Sequence, residues 1–252
     1  MSLARTDETM PAPPAAPAVT RPYVHYPDCD GEPMSDNTEQ WEWMVTLKGN
    51  LDACLPDFVA SDLLWYPVEG DNKTRMAPDV MVAFGRPKGY RGSYKQWEED
   101  GVAPQVVFEI WSPGNRFADV VRKVTFYQRF GVEEFYLYDP ARRSLEGWLR
   151  RPDGLHPIEG IDGYTSPRLG TRFALGSDGL EVYRPDGSRF LTFSELEAAR
   201  QSAEAARQSA EAARQSAEAA RQSAEARALE AEAQAAALAA ELAALRAKLG
   251  GL

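Results

Sequence analysis

Histidine and cysteine are almost absent from this chain: only His25 and His156, and only Cys29 and Cys54, occur in 252 residues. Two imidazoles in loop-like, Pro-flanked stretches leave no basis for a His-rich metal site or for HNH-type chemistry, and they weaken a Ser-His-Asp triad. Two cysteines outside any CxxC arrangement exclude a thiolate zinc site and a disulfide framework, and read as free thiols. No apolar run approaches the roughly 18 residues that span a bilayer. Met1 to Thr20 has no signal-peptide core; its PAPPAAPAVT stretch reads as a disordered Pro/Ala leader. Excess positive charge is missing too. The formal charge is −10, and the segment from Ser194 onward, with nine Glu against seven Lys plus Arg, supplies only a small part of it. The remainder is acidic, unlike the basic footprint usual for a protein that lives on nucleic acid. The expectation is a soluble, cytoplasmic chain.

Aromatic residues are unevenly spread. All ten Tyr and six Trp lie between Tyr23 and Tyr183, whereas residues 199–249 contain no Pro or aromatic residue. The chain thus divides into a leader at 1–20, a globular domain at 21–192 and a repetitive segment at 193–252. The globular part is long enough to bury roughly two thirds of its unfolded surface.

Asp36 or Asn37 can cap a helix running to about Cys54, with Trp41, Met44, Val45, Leu47, Leu51 and Leu55 at helical spacing. The stretches Phe58 to Tyr66, Asp79 to Phe84 and Gln105 to Trp111 have strand character, and Gly85 to Gly101 reads as a long polar loop. Asn115 can cap a second helix from about Arg116 to Phe130, ended by Gly131, with the strand FYLYD directly after it. Strand, helix and strand in succession make a βαβ unit with parallel pairing. Hairpin-like pieces follow up to Tyr183, so the fold class is α/β with a central mixed sheet flanked by helices, plus a long C-terminal Ala-rich helix.

That last helix repeats RQSAEAA from Arg200, Arg207 and Arg214. Leu196, Ala203, Ala210, Ala217, Ala224, Ala231, Leu238 and Leu245 share one heptad position, with Ala199, Ala206, Ala213 and Ala220 on its companion. A coiled coil that makes a homo-oligomer is one reading. A solvated single helix held by propensity is the other, since an Ala seam buries little apolar area.

Four charged residues stand where charge is costly or well placed for chemistry. Asp79 opens a strand; Glu109 lies inside the apolar run QVVFEIW; Asp119 and Lys123 are one turn apart on the second helix. A carboxylate on a strand buried on both faces needs a cation, a metal or a proton. Lys123 falls within the apolar arc of Phe117, Val120, Val121, Val124, Tyr127 and Phe130, so it either snorkels or reaches a carboxylate. Asp79 and Glu109 from neighbouring strands form an oxygen site for a hard divalent ion, Mg or Mn. The bland alternatives are a surface Asp79 after Pro78, a structural ion pair between Glu109 and Lys123 or Arg116, and a solvated Asp119. Ser112, Gly114 and Asn115 read as turn and capping residues that can also meet phosphate at the helix N-terminus. Arg86, Lys88, Arg91 and Lys95 of the long loop are candidates for a DNA-facing surface.

The run APDVMVAFG followed by PQVVFEIWSPGNRFADVVRKVTFYQRFGVEEFYLYDP resembles the Uma-two family of restriction endonucleases, within the PD-(D/E)XK nuclease superfamily. The matching positions are Pro78 and Asp79, then Glu109, Ser112 and Pro113, then Asp119, Lys123 and Tyr127, then Gly131, Val132, Glu134, Phe135 and Tyr136, and last Asp139 and Pro140. The resemblance implies a restriction-endonuclease-like core and metal-dependent cleavage of DNA, with Asp79 and Glu109 as metal ligands and Lys123 completing the catalytic set. It departs from the superfamily pattern at Trp111, which stands where the lysine normally falls, so Lys123 serves as a lysine relocated to the helix. Glu39 or Glu42 is the candidate for a first-helix acid. The competing reading is a catalytically inactive nuclease fold that binds or assembles partners through its helical tail.

Overall fold

The computed structural model describes residues 24–249 apart from 30, 32, 33 and 115; the leader and the Asn115 cap lie outside the described residues. The chain divides between Phe190 and Leu191 into two compact units. In the first, a sheet of six strands runs in the order β1-β3-β5-β6-β7-β8. These strands are β1 (Asp57–Ala60), β3 (Val80–Pro87), β5 (Val106–Ile110), β6 (Glu134–Asp139), β7 (Ser144–Arg151) and β8 (Gly154–Pro157). The sheet is mixed: β5 and β6 are parallel across the intervening helix α2 (Phe117–Phe130), and the other neighbours are antiparallel. Strands β2 (Trp65–Tyr66) and β4 (Tyr94–Lys95) pair in a small parallel sheet, and β9 (Arg172–Gly176) with β10 (Gly179–Tyr183) forms a hairpin.

Strand alternation sends two sets of side chains to opposite faces. On one face Val80, Val82, Phe108, Ile110 and Tyr136 pack with Met44, Leu47 and Leu51 of helix α1 (Thr38–Cys54). On the other, Met81, Val107, Phe135 and Trp65 pack with Tyr127 of α2. Helix α1 starts at Asn37, whose side-chain oxygen accepts from the Gln40 backbone N–H at 2.8 Å. Helix α2 stops at Gly131, whose φ of 95° is the left-handed conformation that ends helices and suits glycine.

Three expectations are corrected. The single strand expected over Phe58 to Tyr66 is broken by Asp62, at φ 49°, which sends Trp65 and Tyr66 to the separate β2–β4 sheet. The long loop at 85–101 is more regular than its composition suggests: β3 runs on to Pro87, and β4 and a short 3-10 turn at Gln96–Glu99 follow. The apolar arc of α2 is only partly buried, with Phe117 78% and Val121 48% exposed. Phe117 lies six residues N-terminal of Lys123, about 9 Å along the helix, beyond the end of β5.

The second unit holds helix α3 (Phe193–Leu249). Its described side chains are exposed apart from the half-buried Glu195 and Glu197 in its first turns. Ion pairs one turn apart line it: Glu197 with Arg200 at 3.0 Å, Glu204 with Arg207 at 3.5 Å and Arg221 with Glu225 at 3.2 Å.

Candidate active site

The register of β3 against β5 pairs Val80 with Phe108, so one step further Asp79 faces Glu109. Opposed residues of an antiparallel pair project to the same face. Both carboxylates therefore emerge on the α2 side, at the end of the strand pair from which β5 departs toward the helix. Asp79 is 8% exposed and Glu109 3%. Asp79 Oδ2 accepts the Ile110 backbone N–H at 2.6 Å and Gln40 Nε2 at 3.3 Å. Gln40 Nε2 also lies 3.4 Å from the Ile110 carbonyl, and Gln40 Oε1 accepts the Asp36 N–H at 2.8 Å. These donors fix one oxygen of Asp79, while among the described residues none reaches the other, Oδ1.

Glu109 is held from α2. Lys123 and Tyr127 are four residues apart and share one helix face. Lys123 Nζ donates to Glu109 Oε2 at 2.5 Å, and the Tyr127 hydroxyl donates to Oε1. Burial pushes the Glu109 carboxyl up to about 7, against the pull of the Lys123 ammonium; the nearby charge of Asp79 raises it further. Burial alone would lower Lys123, but the charges of Glu109 and Asp79 outweigh it and hold the ammonium above its ordinary value. A neutral Glu109 would weaken that hold, so the two shifts compete. The short contact between ammonium and carboxylate is charge-assisted, and it favours a charged Lys123 as the fixed partner, with Glu109 the group that titrates. Tyr127 is pushed well above its usual value by burial and by Glu109, so it is a donor.

The structure thus brings Asp79, Glu109 and Lys123 together at one end of the sheet. Asp119, half-buried at the start of α2, accepts the Arg116 N–H at 3.1 Å and shares a pocket with Glu109, Trp111 and Lys123. Glu39 and Glu42 are both exposed; the first-helix residue bonded to Asp79 is Gln40. Gln40 was missed because a neutral amide carries no charge signal, although its place one turn after the Asn37 cap marks it. Tyr127 matched the motif, but nothing in the sequence pointed to its bond with Glu109. Ser112 is buried, its hydroxyl donating to Asp36.

The four loop cations lie elsewhere. Arg86 pairs with Asp100 at 2.6 Å, Lys88 with Asp52 at 3.3 Å, Arg91 with Glu99 at 2.5 Å and Lys95 with Glu98 at 3.3 Å. Arg86 stands in β3 seven residues beyond Asp79, about 23 Å at 3.3 Å per residue, and the carboxylate partners of all four lie outside the acid site. A further buried carboxylate, Glu134, is on the opposite face. It accepts from the Tyr136 hydroxyl at 2.9 Å, the Arg168 N–H at 2.7 Å and the Ser166 hydroxyl, which anchors the 166–168 turn.

A mixed sheet flanked by helices, with two facing acids and a helix-borne lysine at one sheet end, defines a nuclease-like α/β domain. The family model described as "Uma2: Putative restriction endonuclease" matches residues 31–176, more than half of the chain, and the protein belongs to that family. This bears out the resemblance carried by the sequence motifs. Among solved structures, one described as a putative nuclease belonging to DUF820 from Anabaena variabilis is similar at 13% identity, with a TM-score of 0.40, over 53% of this chain and 75% of that one. None of the curated proteins matches.

Proposed function

We propose that the protein is a Mg- or Mn-dependent endonuclease that hydrolyses phosphodiester bonds in DNA. The observation that carries this reading is the convergence of Asp79, Glu109 and Lys123 in a nearly buried, all-oxygen acid site. The donor set fits a hard divalent ion: Asp79 presents an oxygen with no donor among the described residues, and each Glu109 oxygen keeps a lone pair beside its hydrogen bond. Among the described residues no cluster of three or more His, Cys, Asp and Glu forms a closed metal cage, so water and substrate phosphate would complete the shell. Such an ion supplies a more acidic bound water and offsets charge on the scissile phosphate. Asp79 and Glu109 would hold it. Gln40 and the Ile110 amide orient Asp79, Tyr127 orients Glu109, and Lys123 places a positive charge beside the position where the attacking water and developing charge would lie.

A second reading is favoured by Trp111 at the usual lysine position and by the neutralised loop cations: a nuclease fold without catalysis that assembles partners. Plasmid and single-stranded DNA cleavage in Mn or Mg separates the two. The nuclease reading expects activity that Glu109→Gln and Asp79→Asn each abolish, and a wild-type chain as inactive as both variants would leave the assembly reading. Homo-oligomerisation through α3 belongs to either proposal, as does a cytoplasmic location that keeps the exposed Cys29 and Cys54 thiols reduced.

A further inference from the structure

The candidate active site does not end at Lys123. Trp111, Val120 and Leu137 line both the pocket that holds Glu109 and an adjoining groove that continues past Phe117 to Arg142 on the far side. One continuous depression therefore leads from Glu109 along a wall of aromatic and aliphatic side chains. Trp111 is held at its backbone, whose N–H donates to the Tyr138 carbonyl at 2.7 Å, and its indole is half-buried. Phe117 is 78% exposed although it stands at the start of an ordered helix. An exposed ring beside a half-exposed indole costs apolar hydration in the free protein, which a flat apolar ligand would relieve.

The charge around the groove decides what kind of ligand. Asp139 and Glu146 line it with Arg142, itself 3.7 Å from Asp139, while at the Glu109 end Asp119 stands with Lys123 and 3.6 Å from Arg122. The groove itself thus carries more carboxylate than cation, which disfavours phosphate there and suits a neutral ring whose polar edge meets carboxylates. We propose that this groove is a subsite for one unpaired nucleobase of the substrate strand, stacked on Trp111 and Phe117, next to the phosphate that the acids address. The proposal rests on the nuclease reading for the polynucleotide, and it adds the state of the strand: bases in an intact duplex have no free face to stack, so the nucleotide beside the scissile bond is single-stranded or extruded. Trp111 thus has a use at the position where the superfamily lysine is missing.

Fluorescence anisotropy on the full chain tests this with a labelled single-stranded DNA oligonucleotide, the same strand carrying abasic residues, and its duplex. Calcium can be supplied as the hard cation. Wild type is expected to bind the normal strand more tightly than the abasic strand and the duplex. Trp111→Ala and Phe117→Ala should each lower that preference roughly 5- to 150-fold, the range of base–aromatic stacking, and Trp111→Phe should retain most of it. Phe117 is too exposed for its truncation to unfold the domain, so that variant reports even if Trp111→Ala does not fold. Equal binding of normal and abasic strands by wild type, tighter binding of the duplex, or an unchanged preference in both alanine variants would overturn the proposal. Manganese cleavage of the same strands separates the two claims. A Trp111-dependent base preference without cleavage keeps the subsite and rejects the nuclease; cleavage without base preference does the reverse.

Discussion

Glu109 is a buried carboxyl whose hold on its proton the fold changes strongly. Moving its carboxyl from 4.5 to about 7 means that the folded state binds the proton more tightly than the unfolded chain. The stability this group contributes is therefore fully present below pH 4.5 and is lost as pH rises through about 7; for a side chain 3% exposed the difference is on the order of 3 kcal/mol. Lys123, raised above 10.5, works in the same sense at the alkaline end: its contribution is present below pH 10.5 and lost above its folded value. Lys123→Met removes the cation that restrains Glu109, so the carboxyl rises further and the variant keeps losing stability above pH 7 where wild type levels off. Urea unfolding should show a deficit at pH 8 larger than that at pH 5 by about 1 to 2 kcal/mol, and equal deficits at both pH values would refute the coupling. The acid-site triad was legible in the sequence because Glu109 and Lys123 each break an apolar pattern, and a charge in such a pattern must find a partner. Gln40 and the Tyr127 hydroxyl were not, because a buried amide or phenol fits an apolar surrounding without any mismatch in the pattern.

At the level of elements, the parts read correctly are those with a local physical cause. Asn37 caps α1 through its own side chain, Gly131 ends α2 in a left-handed turn, and the β5-α2-β6 crossover forces parallel pairing. The parts read wrongly depend on distant partners. Nothing between Phe58 and Tyr66 reveals that Trp65 pairs with Tyr94, and helical spacing alone cannot show that α2 overhangs the sheet and leaves Phe117 in solvent. Gly147 shows how such a partner acts. It sits opposite Tyr136 in the β6–β7 register, and a methyl group there would lie 2.8 Å from Ile161 Cδ1, 2.9 Å from Ile158 Cδ1 and 3.2 Å from the Tyr136 ring. The missing side chain lets both isoleucines close over the sheet. Gly147→Ala should cost about 1 to 3 kcal/mol by overpacking; a thermal midpoint equal to or above that of wild type would show that the isoleucines move aside freely.

For the whole molecule, the open question is why α3 is so regular. Ala, Glu, Arg and Leu give a helix of its 57 residues strong intrinsic propensity, and the ion pairs along it add roughly 0.2 to 0.5 kcal/mol each. Propensity alone, however, needs no particular period. A straight helix drifts by about 20° per heptad relative to a strict seven-residue repeat, so over the seven heptads from Leu196 to Leu245 an unpartnered helix would rotate the seam by roughly 140°. Keeping one heptad position apolar over that length makes sense if the helix supercoils about another of its kind. Leu196, Leu238 and Leu245 of that seam are 53–60% exposed in the single chain, and a second copy is what would cover them. The full chain should then sediment as an oligomer. Replacing Leu238 and Leu245 together by Glu should return it to monomer mass, because like charges would face each other across the seam while the helix itself keeps its Ala-rich propensity. Circular dichroism checks that the variant remains helical. If it stays helical and sediments with the same mass as wild type, the leucine seam does not hold copies together, and α3 is a solvated single helix.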